Sequence, residues 1–209
     1  MAGSDFDFIV IGAGIAGASV AAFLAPHGRV ALLERESQPG WHTTGRSAAM
    51  FMESYGPPQV RALTRASRHW FESMPGALAP RGALFVGRAD QRQAVDALHD
   101  ELVRDGAAVR RLSRDGALQR VPLLRPDTAA HALLEEAARD IDVDAVHQRF
   151  LRGVREQGST LRCDAGVTAI ERDGPHWRVA CGNATLCAPV LVNAAGAWAD
   201  QICAMIGMR

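Results

Sequence analysis

Several classes of protein are excluded by what this chain has little of. Its four cysteines, Cys163, Cys181, Cys187 and Cys203, show neither C-x-x-C nor Cys/His ligand spacing. That argues against a zinc site or a disulfide framework and reads as free thiols in a reducing cytoplasm. Positive charge is not in excess: 23 Lys+Arg balance 23 Asp+Glu, so composition offers no basic face and nucleic acid is a poor partner. The N-terminus has no cationic leader and the chain no apolar run long enough to span a bilayer. Neither a signal peptide nor a membrane span is expected; the location is cytoplasmic, with peripheral association with the inner membrane left open. Aromatic residues make up only 6%, and there are no repeats or low-complexity tracts.

Metal and nucleophile signatures are missing too. Asp140, Asp142 and Asp144 suggest a calcium loop, but Ala145 stands where the loop needs glycine and Leu151 where it needs a bidentate Glu. They read better as carboxylates at a helix N-terminus, ahead of Val146, Phe150 and Val154. No Ser/His/Asp arrangement stands out. At 209 residues the chain can bury one full core and part of a second.

What is present is concentrated near the N-terminus. A short apolar run, Phe8 to Ile11, has the pattern of a strand buried on both faces. Gly12, Gly14 and Gly17 follow at G-x-G-x-x-G spacing and open a helix carrying Val20, Ala21, Phe23 and Leu24. The helix ends at Pro26 and Gly28, and Val30 to Leu33 form a second buried strand closed by Glu34. Gly12 makes the tight turn, Gly14 admits a pyrophosphate to the backbone, and Gly17 lets the helix lie close to the strands. Glu34, about twenty residues past the glycines, can accept hydrogen bonds from a ribose and would repel a 2′-phosphate, which disfavours NADP. The motif alone does not separate FAD from NAD.

The following segment, Gly40-Trp-His-Thr-Thr-Gly-Arg-Ser-Ala-Ala, is small and polar. It reads either as an exposed βα loop or as backbone laid against a flat ligand, with Ser47-Ala-Ala starting a second helix. Gly-Ala-Gly-Ile-Ala-Gly, Leu-Glu-Arg and Thr-Thr-Gly-Arg-Ser-Ala-Ala together resemble the FAD-dependent D-amino-acid oxidase superfamily. Tyr55-Gly56, Asp140-Ile-Asp-Val-Asp-Ala-Val-His-Gln and Val192-Asn-Ala-Ala-Gly-Ala-Trp extend the likeness over nearly the whole chain. Within the superfamily the pattern is similar to bacterial D-arginine and D-amino-acid dehydrogenases.

The resemblance implies an α/β Rossmann-like FAD-binding domain with part of a mixed-sheet substrate domain. It divides the chain into residues 1–80 (FAD-binding), 81–140 (partial substrate domain) and 141–209 (return to the FAD-binding domain). Members continue for almost as long again, so the C-terminal half of the fold is expected to be absent. Gly12, Gly14, Ala16 and Gly17 are then cofactor-binding. Glu34 and Arg35 would hold the adenosine ribose end. His42, Thr43, Thr44, Gly45, Arg46, Ser47, Ala48 and Ala49 would run along the pyrophosphate and flavin ring. Val167 would meet the adenine through its backbone, although a plain buried strand residue fits equally well. Ala195 and Gly196 would lie beneath the nucleotide.

Elsewhere, Val60, Leu63, Ser67, Trp70, Phe71 and Met74 recur at helical spacing and suggest a helix with its aromatics in the core. Residues 83–86 and 130–134 read as strands, and Ala94, Leu98 and Leu102 mark a helix ended by Gly106. Strands are expected at 160–163, 167–171 and 177–180, with Asp173-Gly174 as a turn. Another strand runs from Pro189 into the small-residue turn at Ala195.

The reaction implied by the resemblance removes a hydride from the α-carbon of a D-amino acid to flavin N5, with oxygen or a quinone as final acceptor. Secondary amines such as sarcosine, 2-hydroxy acids, and a fragment that binds FAD without chemistry are the alternatives. Tyr55 is the candidate to cover the substrate; a capping role before Gly56-Pro57-Pro58 is the other reading. Met50 takes the place of a substrate-contacting His of the dehydrogenase pattern, and Ala83 that of a Glu facing a cationic substrate. Losing such a charge-assisted hydrogen bond costs about 1.5–3 kcal/mol, which predicts a shift from arginine or lysine towards apolar or small D-amino acids.

Overall fold

A computed structural model describes residues 5–208. In chain order the elements are β1 (Phe8–Ile11), α1 (Ile15–Leu24), β2 (Val30–Leu33), β3 (Met50–Phe51), α2 (Pro58–Glu72), β4 (Leu78–Pro80) and β5 (Ala83–Gly87). Then come α3 (Arg92–Arg104), β6 (Val109–Leu112), α4 (Arg114–Arg120), β7 (His131–Glu135), β8 (Arg139–Ile141) and α5 (Val143–Glu156). The last are β9 (Thr160–Arg162), β10 (Val167–Asp173), β11 (His176–Cys181), β12 (Ala184–Ala188), β13 (Val190–Asn193) and α6 (Ala199–Met205). They form two compact units: residues up to Ser47 together with those from Val143 onward, and Ala48–Asp142.

The first unit is built on a parallel sheet in the order β13-β1-β2-β9, with Phe8 level with both Val190 and Val30. Its central strands are apolar without alternation because both faces are covered. Ile9, Ile11, Ala31 and Leu33 share a core with Ile170, Val179 and Leu186 of an antiparallel sheet, β10-β11-β12. Val10 and Leu32 point to the other face, where α1 packs. Helix α5 lies close against α1: a Cβ at Gly153 would be 3.6 Å from that of Ala22, and the rings of Phe23 and Phe150 are 6.0 Å apart. Strand β12 has no counterpart in the sequence reading; Ala184 and Thr185 carry too little apolar alternation to announce it.

In the second unit, the mixed sheet expected from the family takes the form of two three-stranded antiparallel sheets, β3-β8-β4 and β5-β7-β6. Helix α2 and β4, grouped by the sequence reading with residues 1–80, belong here because Phe71 packs edge-on against Phe51 of β3 (5.5 Å).

Two expectations are corrected. No helix starts at Ser47: that residue is extended (φ −87°, ψ 130°), and the Ala49 carbonyl accepts from Ile141 N–H, drawing the chain into β3. The apolar stripe of α2 is not core. Leu63 is 68% exposed, Trp70 is half-buried, and the helix's buried side chain is Arg61, at 2% exposure. Arg61 reaches Glu101 (2.5 Å) and Asp105 (2.7 Å) at the end of α3, so a buried arginine paired with two partly exposed carboxylates holds α2 where apolar packing was expected. Among the described residues no group of His, Cys, Asp or Glu is arranged to hold a metal, and no helix is long and apolar enough to cross a membrane.

Candidate functional site

At the carboxyl ends of β1, β2 and β13 the first unit opens into a cleft of about 610 Å³. Crevices at this end of parallel strands are where open α/β sheets bind ligands. Ile11 and Leu33 form its base, with Gly12, Gly14, Ala16, Glu34 and Arg35 beside them. Gly12 has φ +99°, and a Cβ there would stand 2.5 Å from the Ala194 carbonyl oxygen. Gly17 does not line the cleft. A Cβ on it would come 1.7 Å from the Gly12 carbonyl oxygen, so its task is the close fit of α1 against the turn.

The start of α1 has no cap from its own N-cap residue: Gly14 offers no side chain, and no acid stands in the first turn. Thr44 Oγ1 accepts from Ile15 N–H at 2.9 Å. The remaining free N–H groups and the positive end of the helix dipole suit an anion. Thr44 sits in a short turn, Thr44–Arg46, closed by Gly45 N–H donating to the Gly40 carbonyl at 2.7 Å. Buried Glu34 accepts from Ala13 N–H (3.1 Å) and Glu36 N–H (3.0 Å), which leaves lone pairs on both oxygens.

One wall of the cleft is an ion-pair and aromatic cluster. Glu36 Oε1 accepts from Arg35 Nε (2.9 Å) and pairs with His42 Nε2 (2.8 Å); these bonds, His42 first, hold its carboxyl below the ordinary carboxylate value. The Arg35 guanidinium lies 4.5 Å over the Trp198 ring, and the His42 ring is 4.7 Å from it. Asn193 shapes the facing turn, accepting from Ala195 N–H and donating to the Ala199 carbonyl.

The structure thus brings Gly12, Gly14, Ala16, Glu34, Arg35, His42, Thr43, Thr44, Val167, Ala195 and Gly196 into one cleft. Gly45 is a turn residue beside it. Arg46 and Ser47 are exposed and do not line it, and Ala48 and Ala49 belong to the second unit. Trp198, Asn193 and His147 lie in stretches that carry the family likeness, but sequence alone assigns them no role of their own. His147 is a single histidine on the buried face of an amphipathic helix, a pattern that an ordinary core residue shares.

In the second unit, Tyr55 is 68% exposed on a loop held by Glu135. This buried carboxylate accepts from Glu53 N–H (2.8 Å), Ser54 N–H (3.3 Å) and the Ser54 hydroxyl. Pro57 holds the N-cap position of α2 without a side-chain hydrogen bond, and Tyr55, two residues earlier, does not cap the helix. Met50 lines a separate apolar groove of about 230 Å³ with Phe51, Val60, Leu63, Phe71 and Ile141. Ala83 stands opposite Glu135 across the β5–β7 pair.

Gly-turn, open helix end and terminal carboxylate define a dinucleotide-binding α/β protein, and the cleft fits such a cofactor: side chains larger than hydrogen would fill the cradle. The profile of the DAO family, described as FAD dependent oxidoreductase, matches residues 7–209. The chain belongs to this family, whose cofactor is FAD. It is 27% identical to glycine oxidase of Bacillus licheniformis over 97% of its own length and 57% of that protein's. It is 24% identical to L-2-hydroxyglutarate dehydrogenase of Escherichia coli K12 over 98% of this chain and 50% of that one. The chain therefore spans little more than half the length of these relatives.

Solved structures agree on the fold. Glycine oxidase from Geobacillus kaustophilus superposes with a TM-score of 0.84 at 21% identity, covering 98% of this chain and 59% of that one. L-Proline dehydrogenase from P. horikoshii gives 0.86 at 21% identity, covering 100% and 57%. By name these relatives act on different compounds, so family membership reaches a FAD-dependent oxidoreductase and stops short of D-amino-acid dehydrogenase in particular.

Proposed function

We propose that the chain binds FAD in the first-unit cleft and, as part of a whole flavoenzyme, oxidises the CH–NH2 group of a D-amino acid. The observation that carries the cofactor assignment is the glycine turn under the open end of α1, flanked by Thr44 and Glu34. Gly14 and the first turn of α1 would hold the pyrophosphate, Glu34 and Arg35 the ribose, and Val167 the adenine. When bound, FAD supplies a hydride acceptor at N5. The substrate gives up the α-hydrogen as hydride and one N–H proton, and water converts the resulting imino acid to a 2-oxo acid and ammonia. Tyr55 would cover the substrate from its Glu135-anchored loop. Oxygen or a quinone would reoxidise the cofactor.

An apolar or small side chain suits this unit best. The groove beside Met50 is lined by no charged side chain, and its two hydroxyls donate to backbone carbonyls, Thr64 to Val60 and Ser67 to Leu63. Opposite Ala83, the carboxylate of Glu135 is committed to Glu53 and Ser54. No spare carboxylate is therefore offered there to a cationic substrate.

A second reading, oxidation of a 2-hydroxy acid or a secondary amine, is supported by the likeness to L-2-hydroxyglutarate dehydrogenase. It differs only in the proton lost with the hydride, from O–H or a substituted N–H. A panel of D- and L-amino acids, sarcosine and 2-hydroxy acids added anaerobically to the FAD-loaded protein separates these readings. The visible flavin band should bleach with D-leucine or D-alanine faster than with D-arginine. Bleaching by a 2-hydroxy acid alone would establish the second reading. A flavin that no substrate bleaches would assign the chain a binding role only.

A further inference from the structure

His147 lies on the first full turn of α5 and is 3% exposed. Its Nε2 is 2.9 Å from the carbonyl oxygen of Ala13, the residue between Gly12 and Gly14. A carbonyl oxygen only accepts, so Nε2 carries the proton. The other edge of the ring supports the second cofactor segment. A Cβ at Gly40 (φ +77°) would come within 2.9 Å of Cε1 and 3.1 Å of Nδ1, so the imidazole fills the space that Gly40 leaves. Gly40 in turn closes the loop carrying Thr44, through its bond from Gly45 N–H.

The Ala13 residue is thus held at both ends, its N–H by Glu34 Oε2 at 3.1 Å and its carbonyl by His147. Peptide units are planar and trans. A carbonyl turned to His147 therefore sends the Gly14 N–H the opposite way. Gly14 lines the cleft, and among the described residues its N–H has no acceptor.

From this geometry we infer that His147 is a positioning residue for the cofactor: it fixes the Ala13–Gly14 peptide so that the Gly14 N–H faces the phosphate, and props the Thr44 loop on the opposite side. The role rests on the FAD cleft alone and is independent of which substrate is oxidised.

The test is FAD titration of the full chain, read by quenching of flavin fluorescence, with the melting temperature of the FAD-free protein measured in parallel. His147→Phe keeps a ring but loses the donor, and should raise the FAD dissociation constant about tenfold, the loss of one buried hydrogen bond. His147→Gln places an N–H near the same point and should recover binding to within about threefold of the parent. Because the His147–Ala13 bond is present without FAD as well, His147→Phe should also lower the FAD-free melting temperature, and affinities are compared at a temperature where each variant is fully folded. Equal FAD affinity in His147→Phe and the parent would overturn the inference, as would an affinity loss that glutamine does not rescue. Should His147→Phe not fold, the unaltered chain decides: the His147 ring 15N shifts should report an Nε2–H tautomer and the Gly14 amide resonance should move on adding FAD, whereas an Nδ1–H tautomer, or a Gly14 amide that FAD leaves unmoved, overturns the inference.

Discussion

A methyl group at Gly17 would stand 1.7 Å from the Gly12 carbonyl oxygen, whereas one at Gly14 would stand 3.2 Å from Thr44 Oγ1. The two glycines therefore fail differently. Gly17→Ala forces α1 off the turn and should leave little folded protein. Gly14→Ala needs only a shift of a few tenths of an ångström, so it should fold and melt near the parent yet bind FAD weakly, because the methyl enters the cleft. Circular dichroism beside FAD titration separates the outcomes. At Glu36 the prediction concerns pH. Its carboxyl is held below the ordinary value by hydrogen bonds from His42 and Arg35. A depressed carboxylate contributes stability above its unfolded value and loses it as pH falls through the folded one. Any excess in melting temperature of the parent over Glu36→Gln should thus be present at neutral pH and fade as pH falls through and below the ordinary carboxylate range. These residue-level roles were unequally legible. Gly12, Gly14 and Glu34 announce themselves through fixed spacing on a strand–turn–helix–strand unit. His147 meets the glycine turn and Trp198 the cleft through the fold, from α5 and the turn before α6; both fall in stretches that carry the family likeness, but their tasks rest on contacts that spacing does not show.

At the scale of elements, period and burial agree where both faces of a strand are covered, as in β1 and β2. They part company in the second unit. Helix α2 has an apolar stripe of the right period, yet its anchor is Arg61. One of three arginines on α2, with Arg65 and Arg68, Arg61 gives no sign in sequence that Glu101 and Asp105, some forty residues on, will meet it. Likewise residues 47–49 look like a helix start, but pairing with β8 draws them out, and pairing is a non-local property. Removing Arg61 strands two partly exposed carboxylates and empties a buried volume, so Arg61→Ala should cost about 2–3 kcal/mol in urea unfolding. Arg61→Met, which keeps the volume, should cost less. Glu135 is the stricter case, because its partners are buried backbone N–H groups as well as a hydroxyl. Glu135→Ala should cost about 2–4 kcal/mol and loosen the Tyr55 loop, seen as faster amide exchange at Glu53 and Ser54.

For the whole molecule, the first unit gathers chain from both sides of the second: β1, α1 and β2 come before it, α5 and the remaining strands after it. The parallel sheet is closed only when β13 docks beside β1 and β9 beside β2. The cleft is assembled from both stretches, so cofactor binding and folding of this unit should be linked. Saturating FAD should raise the melting temperature of the first unit, by mass action on the folded form alone. FAD titration of the unaltered chain beside Gly14→Val, followed by visible absorption and fluorescence, decides whether this cleft holds the cofactor. One tightly held FAD per parent chain is expected, and none on a folded Gly14→Val. A parent chain that stays colourless, or a folded Gly14→Val that binds FAD as well as the parent, would contradict the assignment.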